Sequence, residues 1–179
     1  MLRLFVALPL PEALRTRLGG MASGLPGARW SPPDNLHITL VFAGEMDEDQ
    51  ADLLHDQLSQ LRLPPLTVTV RGCGAFDSGH RSHTLWAGVA LTPELAHLQA
   101  KVETAALKAG LSPEKRKYSP HVTLARLDRS TAPERLQNFI AGNNLLKDSF
   151  LADSFTLYSS NLSRHGAVYT PEVIYPLDV

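Results

Sequence analysis

A chain of 179 residues with 44% hydrophobic and 20% charged positions has the balance of one globular domain, which excludes a disordered or fibrous protein. Its net charge of −1 excludes a strong overall pull on duplex nucleic acid, though not a local phosphate pocket. The single cysteine, Cys73, excludes an intrachain disulfide and a multi-cysteine zinc site, and no apolar run reaches membrane-spanning length.

Leu2 to Leu8 is a short apolar run that predicts a buried strand. Pro9 and Pro11 interrupt it and make it a poor secretory signal, so the expected compartment is the cytoplasm. Pro11 suits the first turn of a helix predicted from Glu12 to Met21, with Leu14 and Leu18 inward. A loop over Gly24 to Gly27 and a Pro-rich extended stretch from Trp30 to Asp34 lead to a strand from Asn35 to Ala43, stopped by Gly44. Asp47 is the expected N-cap of a helix that carries Leu53, Leu54, Leu58 and Leu61 to about Arg62, before Pro64-Pro65 breaks it.

Leu66 to Val70 and Thr84 to Leu91 predict a hairpin, with Asp77-Ser78-Gly79 as its turn signal. Gly72-Cys73-Gly74 lacks a following helix and lysine, so it is not a phosphate loop. Thr92-Pro93-Glu94 opens a helix whose stripe is Leu95, Leu98, Val102 and Ala106, with Leu107 beside it and Gly110 closing it. A loop from Leu111 to Pro120, a strand from His121 to Leu127 and a helix from Ala132 to Ala141 follow. Two strands, Leu151 to Ser160 and Ala167 to Tyr175, finish the chain, with a turn over Asn161 to Gly166. The order β-α-β-α-β-β-α-β-α-β-β is a loose duplication. It predicts an α+β fold of two antiparallel sheets lining a central cleft with helices outside, as one bilobed domain over residues 1–179.

Each half carries one copy of the same tetrad, His37-Ile38-Thr39-Leu40 and His121-Val122-Thr123-Leu124. In a strand, His and Thr at i and i+2 share one face, while the two apolar residues turn to the other. Two such strands side by side bring two imidazoles and two hydroxyls to one cavity. Near neutrality one imidazole can be charged while the other is neutral, which suits an acid and a base on opposite sides of a phosphorus centre. A Thr hydroxyl can donate to a phosphoryl oxygen as charge builds there. A single His-x-Thr on a strand is more often an ordinary half-polar face; the duplication favours function. Metal binding is the rival use, but neither His has a carboxylate at i+2 or i+4, and zinc needs a third protein ligand.

In these flanks the sequence resembles the two-histidine (2H) phosphoesterase superfamily, in particular the RNA 2′,3′-cyclic phosphodiesterases of the LigT/ThpR type. Arg3-Leu4-Phe5-Val6-Ala7 resembles the family's opening strand, and Asn35 to Glu45 its first motif block. Leu85-Trp86-Ala87-Gly88-Val89 resembles the central strand, and Ser119-Pro120-His121-Val122-Thr123-Leu124-Ala125-Arg126 the second block. Phe155 to Ser160 and Tyr169-Thr170-Pro171 resemble the closing hairpin. The resemblance implies metal-independent hydrolysis of a 2′,3′-cyclic phosphate to a 2′-phosphate, without cofactor, with 2′–5′ joining as the reverse reaction. It implies His37 as proton donor to the departing 3′-oxygen, His121 as the base on water, and Thr39 and Thr123 on the phosphoryl oxygens. The implied partner is RNA with a cyclic phosphate end, such as a tRNA fragment, or a small cyclic nucleotide, met by a monomer with no membrane attachment. ADP-ribose cyclic phosphate hydrolysis and non-catalytic RNA-end binding are the alternatives. One departure is His83, where the family carries a basic residue before the central Trp; Arg81 lies two residues earlier.

Further candidates for the cleft are weaker. Arg126, at an odd offset from His121, faces away from it on a regular strand and reads as a structural ion pair unless the strand bends. Tyr118 suits base stacking or plain packing, and Lys115-Arg116-Lys117 suits phosphate steering or a solvated loop. Trp30 and Phe42 read as core or cleft wall, and Ser159, Arg164 and His165 as cleft rim. His55 and His97 are expected to face solvent.

Overall fold

The computed structural model describes residues 1–77 and 83–178. Ser78 and Gly79 of the turn signal, and Arg81 before His83, lie outside the described residues. The elements in order are β1 (Leu2–Pro9), α1 (Glu12–Gly19), β2 (Ala28–Trp30), a short 3₁₀ turn (Pro33–Asn35), β3 (His37–Met46), α2 (Glu48–Ser59), β4 (Leu66–Asp77) and β5 (His83–Val89). They continue with α3 (Pro93–Lys108), β6 (His121–Leu127), α4 (Pro133–Gly142), β7 (Lys147–Ala152), β8 (Ser154–Ser163) and β9 (Gly166–Pro176).

The strands form two antiparallel four-stranded halves, β7-β4-β5-β6 and β3-β1-β8-β9, with β2 added beside β6. Within the sheet the halves join where β3 pairs with β6, at Ile38 and Val122. β1-α1-β3-α2 and β5-α3-β6-α4 are therefore two versions of one unit, each ending its half-sheet with a tetrad strand. The expected α+β duplication and cleft are what the chain adopts.

The tetrads' apolar residues explain this placement. Ile38, Leu40, Val122 and Leu124 are buried and belong to the same core as Leu54 and Leu58 of α2 and Leu95, Leu98 and Val102 of α3. α3 packs on β3 and against α2. Helices thus cover one face of the tetrad strands, and the His–Thr face is left for the cleft. Helix starts follow local chemistry: Asp47 accepts from the Gln50 N–H at 2.9 Å and Thr92 from the Leu95 N–H at 3.2 Å. Ala105 joins the stripe of α3, whereas Leu107 is 55% exposed.

Three expectations are corrected. Gly44 does not stop its strand: with φ of 90° it sits at a register shift between β1 and β3, and the strand continues to Met46. The strand expected from Leu151 to Ser160 is two strands, because the chain leaves the β4 side of the sheet at Ala152 and enters the β1 side at Ser154. β7 opens with Lys147, Asp148 and Ser149 and has no apolar alternation to betray it. The third is β2, too short for any periodicity, which lies just before the prolines and shares only Trp30 with the stretch read as extended.

Gly74 is required by packing, since a Cβ there would lie 2.3 Å from Cη2 of Trp86, its cross-strand partner. Gly74→Ala should therefore destabilise the fold by about 1–3 kcal/mol. Thermal unfolding followed by circular dichroism checks this, with a fall in Tm of roughly 2–4 °C per kcal/mol.

Candidate active site

The two histidines are held by the same local device. Nδ1–H of His37 donates to the Asn35 carbonyl at 2.6 Å, and Nδ1–H of His121 donates to the Ser119 carbonyl at 2.8 Å. A carbonyl can only accept, so the neutral rings carry their proton on Nδ1 and keep Nε2 free to exchange one. Nε2 of His37 lies 3.1 Å from the Thr39 hydroxyl.

Pairing of Ile38 with Val122 sets the relation between the tetrads. In antiparallel register His37 comes opposite Thr123, and Thr39 opposite His121. The two histidines are then diagonal neighbours on one face, roughly 7–8 Å apart at the backbone. Their mutual charge is felt, for His121 is one of the groups that lower the His37 pKa. Burial is the larger cause of that lowering, and the Asn35 hydrogen bond opposes it. The burial comes from aromatic rings: Phe5 at 4.9 Å between centroids, Tyr169 edge-on at 5.3 Å and Tyr158 at 6.3 Å. His121 meets the Phe76 ring nearly perpendicular, at 5.0 Å.

A cavity of about 710 Å³ opens over this face, within the range of small-ligand sites. His37, Thr39 and Thr123 line it; His121 stands at the next register position and is not part of its lining. Trp30 and Phe42 form walls, as expected, with Trp30 also 5.7 Å from Phe139.

Arg126 lines the cavity because the strand bends. The register between β5 and β6 shifts so that Leu124 is an extra residue, and Leu124 and Ala125 are both buried. β3 does the same at Leu40, with Leu40 and Val41 both buried, which brings Phe42 to the cleft. In both halves the tetrad's Leu is the bulged residue, so the side chain five places after each His joins the His face. Two consecutive buried apolar residues after the Thr are the signal that could have found this.

Tyr118 and Ser159 are among the candidates not brought into the cavity. Tyr118 spends its hydroxyl on the Thr39 carbonyl at 2.8 Å, and burial pushes its phenol up; it ties the loop before β6 to β3. Ser159 is buried and donates to Glu172 at 2.6 Å, because strand alternation gives the cleft face to Ser160 instead. Lys115, Arg116 and Lys117 are exposed, with Arg116 beside Glu114 at 3.5 Å. Arg164 and His165 do reach the cavity, at the tip of the β8–β9 hairpin. Asn35 anchors that hairpin by donating from Nδ2 to the Ala167 carbonyl at 2.9 Å. His97 is exposed as expected, but His55 is half-buried, its Nδ1 2.8 Å from the Tyr175 hydroxyl. Arg3, Arg29 and Tyr169 also line the cavity, and no local pattern marks them as site residues. Among the described residues no three His, Cys, Asp or Glu side chains gather as a metal site, and no helix is long and apolar enough to cross a membrane.

Fold and site together define a two-histidine phosphoesterase cleft, built twice from one strand design. Comparison with known proteins agrees: residues 10–164 match the 2′-5′ RNA ligase superfamily, and the chain belongs to that family. It is 33% identical over 138 residues to an RNA 2′,3′-cyclic phosphodiesterase of Aeropyrum pernix, covering 76% of this chain and 78% of the relative. The Escherichia coli RNA 2′,3′-cyclic phosphodiesterase is 31% identical over 173 residues, covering 94% of this chain and 93% of the relative. A crystal structure of E. coli LigT complexed with 3′-AMP superposes with a TM-score of 0.80 at 27% identity, covering 98% of both chains.

The His37 ring should titrate below the ordinary 6.5. Replacing His121 by Gln removes one of the lowering charges, so the His37 pKa should rise. Side-chain NMR titration reads this directly; an unchanged or lower value would show that the two rings do not sense each other.

Proposed function

We propose that residues 1–179 form one bilobed catalytic unit that hydrolyses 2′,3′-cyclic phosphate ends of RNA to 2′-phosphomonoesters. The observation that carries this reading is the register of Ile38 with Val122, which sets both His–Thr pairs on one face beside a nucleotide-sized cavity. Relatives named RNA 2′,3′-cyclic phosphodiesterase at about 30% identity over most of the chain support the substrate class. Both tetrads come from one chain, so a monomer is sufficient.

In this reading the cyclic phosphate lies between the two Nε2 atoms. His121, neutral and tautomerically fixed by the Ser119 carbonyl, takes a proton from water as the water oxygen bonds to phosphorus. The bond from phosphorus to the 3′-oxygen breaks, and His37 in its charged form gives that oxygen a proton. The product is a 2′-phosphate beside a free 3′-hydroxyl. With an RNA 5′-hydroxyl attacking phosphorus in place of water, and the 3′-oxygen again leaving, the same groups in the same roles would join a 2′–5′ bond. Thr39 and Thr123 donate to the non-bridging oxygens as charge develops. Burial lowers the His37 pKa, which opposes its role as donor; a negative phosphate beside the ring raises it again. Phe42 and Trp30 offer aromatic faces for the terminal base.

His37→Ala and His121→Ala should each lower kcat by about 10²–10⁴-fold. Thr39→Ala and Thr123→Ala should lose less, about 10²-fold or below. The double His variant should lose far less than the product of the single effects, since the pair acts as a unit. End-group analysis of the product from a cyclic-ended oligonucleotide tests the reaction: a 2′-phosphate is expected. A 3′-phosphate would reverse the leaving group, and a preference for ADP-ribose cyclic phosphate would overturn the substrate class.

A further inference from the structure

An in-line displacement has two ends, and the cavity accounts for one of them. The strand bearing the cyclic phosphate gives up its 3′-oxygen at His37, and the cavity receives its nucleoside. Whatever attacks phosphorus arrives from the opposite end, at His121. The sheet order β7-β4-β5-β6-β3 puts His37 on one side of β6 and the strands β5 and β4 on the other. A group attached to the attacking oxygen is therefore directed over β5 and β4.

That part of the cleft face is aromatic. Directly opposed residues of an antiparallel pair share a face. Trp86 stands opposite Thr123, and Gly74 opposite Trp86, so both belong to the face of the tetrad hydroxyls. Phe76, two residues beyond Gly74 on β4, belongs to it too. The Trp86 ring lies on Gly74, and Gly88, opposite His121, adds no side chain. Phe76 meets both neighbouring rings, Trp86 at 5.2 Å and 41°, and His121 at 5.0 Å and 88°. It is nonetheless 37% exposed. Neither Phe76 nor Trp86 lines the cavity, which is left to the strand that carries the cyclic phosphate. An apolar ring exposed singly needs no explanation. This one rests on a second ring and touches the base that handles the attacking oxygen.

We propose that Phe76, backed by Trp86, is the platform for a second nucleoside, the one whose 5′-hydroxyl takes the place of water at phosphorus. This rests on the cyclic-phosphate reading above and deepens it by naming the acceptor. The 5′-oxygen bonds to phosphorus as the bond from phosphorus to the 3′-oxygen breaks. His121 takes the proton of the 5′-hydroxyl, and His37 gives one to the 3′-oxygen. The product is a 2′–5′ diester, and no further reactant is consumed. Bases stack on exposed aromatic rings with little regard to sequence. The acceptor class is therefore an RNA chain or nucleoside with an unphosphorylated 5′ end, whatever its base.

The test has a transfer arm and a binding arm. For transfer, one nucleoside 2′,3′-cyclic phosphate is offered water, a nucleoside and ethanol in the same tube. Initial rates of the 2′-phosphate, the 2′–5′ dinucleoside phosphate and the ethyl 2′-phosphodiester are read by chromatography. Mole for mole, wild type should favour the nucleoside over ethanol by about tenfold, within the range that stacking of a base on an aromatic ring supports. Phe76→Leu should bring that ratio towards one, and Phe76→Trp should keep it. Because the products compete within each variant, a slower His121 or partial unfolding cancels. Hydrolysis without transfer to the nucleoside, or a preference that survives Phe76→Leu, would overturn the platform.

For binding, calorimetry compares two inert diesters of one 3′-deoxynucleoside 2′-phosphate, which cannot close the cycle. One carries a second nucleoside through its 5′-oxygen and the other an ethyl group, so the charge is the same. The dinucleoside should bind about tenfold more tightly in wild type and about equally in Phe76→Leu. Equal binding in wild type would overturn the platform. No turnover of any cyclic phosphate, with the binding ratio intact, would contradict the proposed reaction while supporting the second nucleoside's place.

Discussion

Everything at this site depends on one narrow seam in the sheet. The two halves touch through β3 and β6 at Ile38 and Val122, both fully buried. Those residues hold the seam by apolar burial, worth about 1.5–3 kcal/mol for each such side chain. The same alternation sends His37, Thr39, His121 and Thr123 to the opposite face. Packing and chemistry are thus two faces of one strand pair. A slip of one residue in the register would put the histidines into the core and the isoleucine and valine into the cleft.

The duplication extends beyond the tetrads. Each strand bulges at its tetrad Leu, and each bulge turns the fifth residue after the His into the cavity. In one half that residue is Phe42 and in the other Arg126. Symmetric backbone geometry therefore presents unlike side chains at the two ends of a symmetric centre. A nucleotide is itself asymmetric, with an apolar base and charged phosphates, and an aromatic end and a basic end suit it. The histidines are likewise unequal. His37 is enclosed by Phe5, Tyr158 and Tyr169, while His121 has Phe76 at its edge and lies outside the cavity lining proper.

Local periodicity made much of this legible. The bounds of β6, the caps at Asp47 and Thr92, and the inward Leu14 and Leu18 follow from spacing and capping chemistry within a few residues. Alternation alone faces Arg126 away from His121; the bend that was the stated exception is set by the neighbouring strand, not by the strand's own pattern. β2 and β7 escaped because a three-residue strand and a polar edge strand carry no pattern. The opposition of Arg29 and Arg126, and the tie from Asn35 to the β8–β9 hairpin, join residues about a hundred or more positions apart in the chain. Tyr118 and Ser159 were of suitable type for a cleft, but each had a hydrogen-bond partner that only the tertiary structure reveals.

The central claim is that both imidazoles act on one phosphate. It is tested most directly by titrating the ¹⁵N-labelled protein with inorganic phosphate while following the side-chain nitrogens of His37 and His121. One shared pocket requires both Nε2 signals to move together, with the same Kd and a stoichiometry of one phosphate per chain. Movement of one ring alone, or two different dissociation constants, would contradict the account.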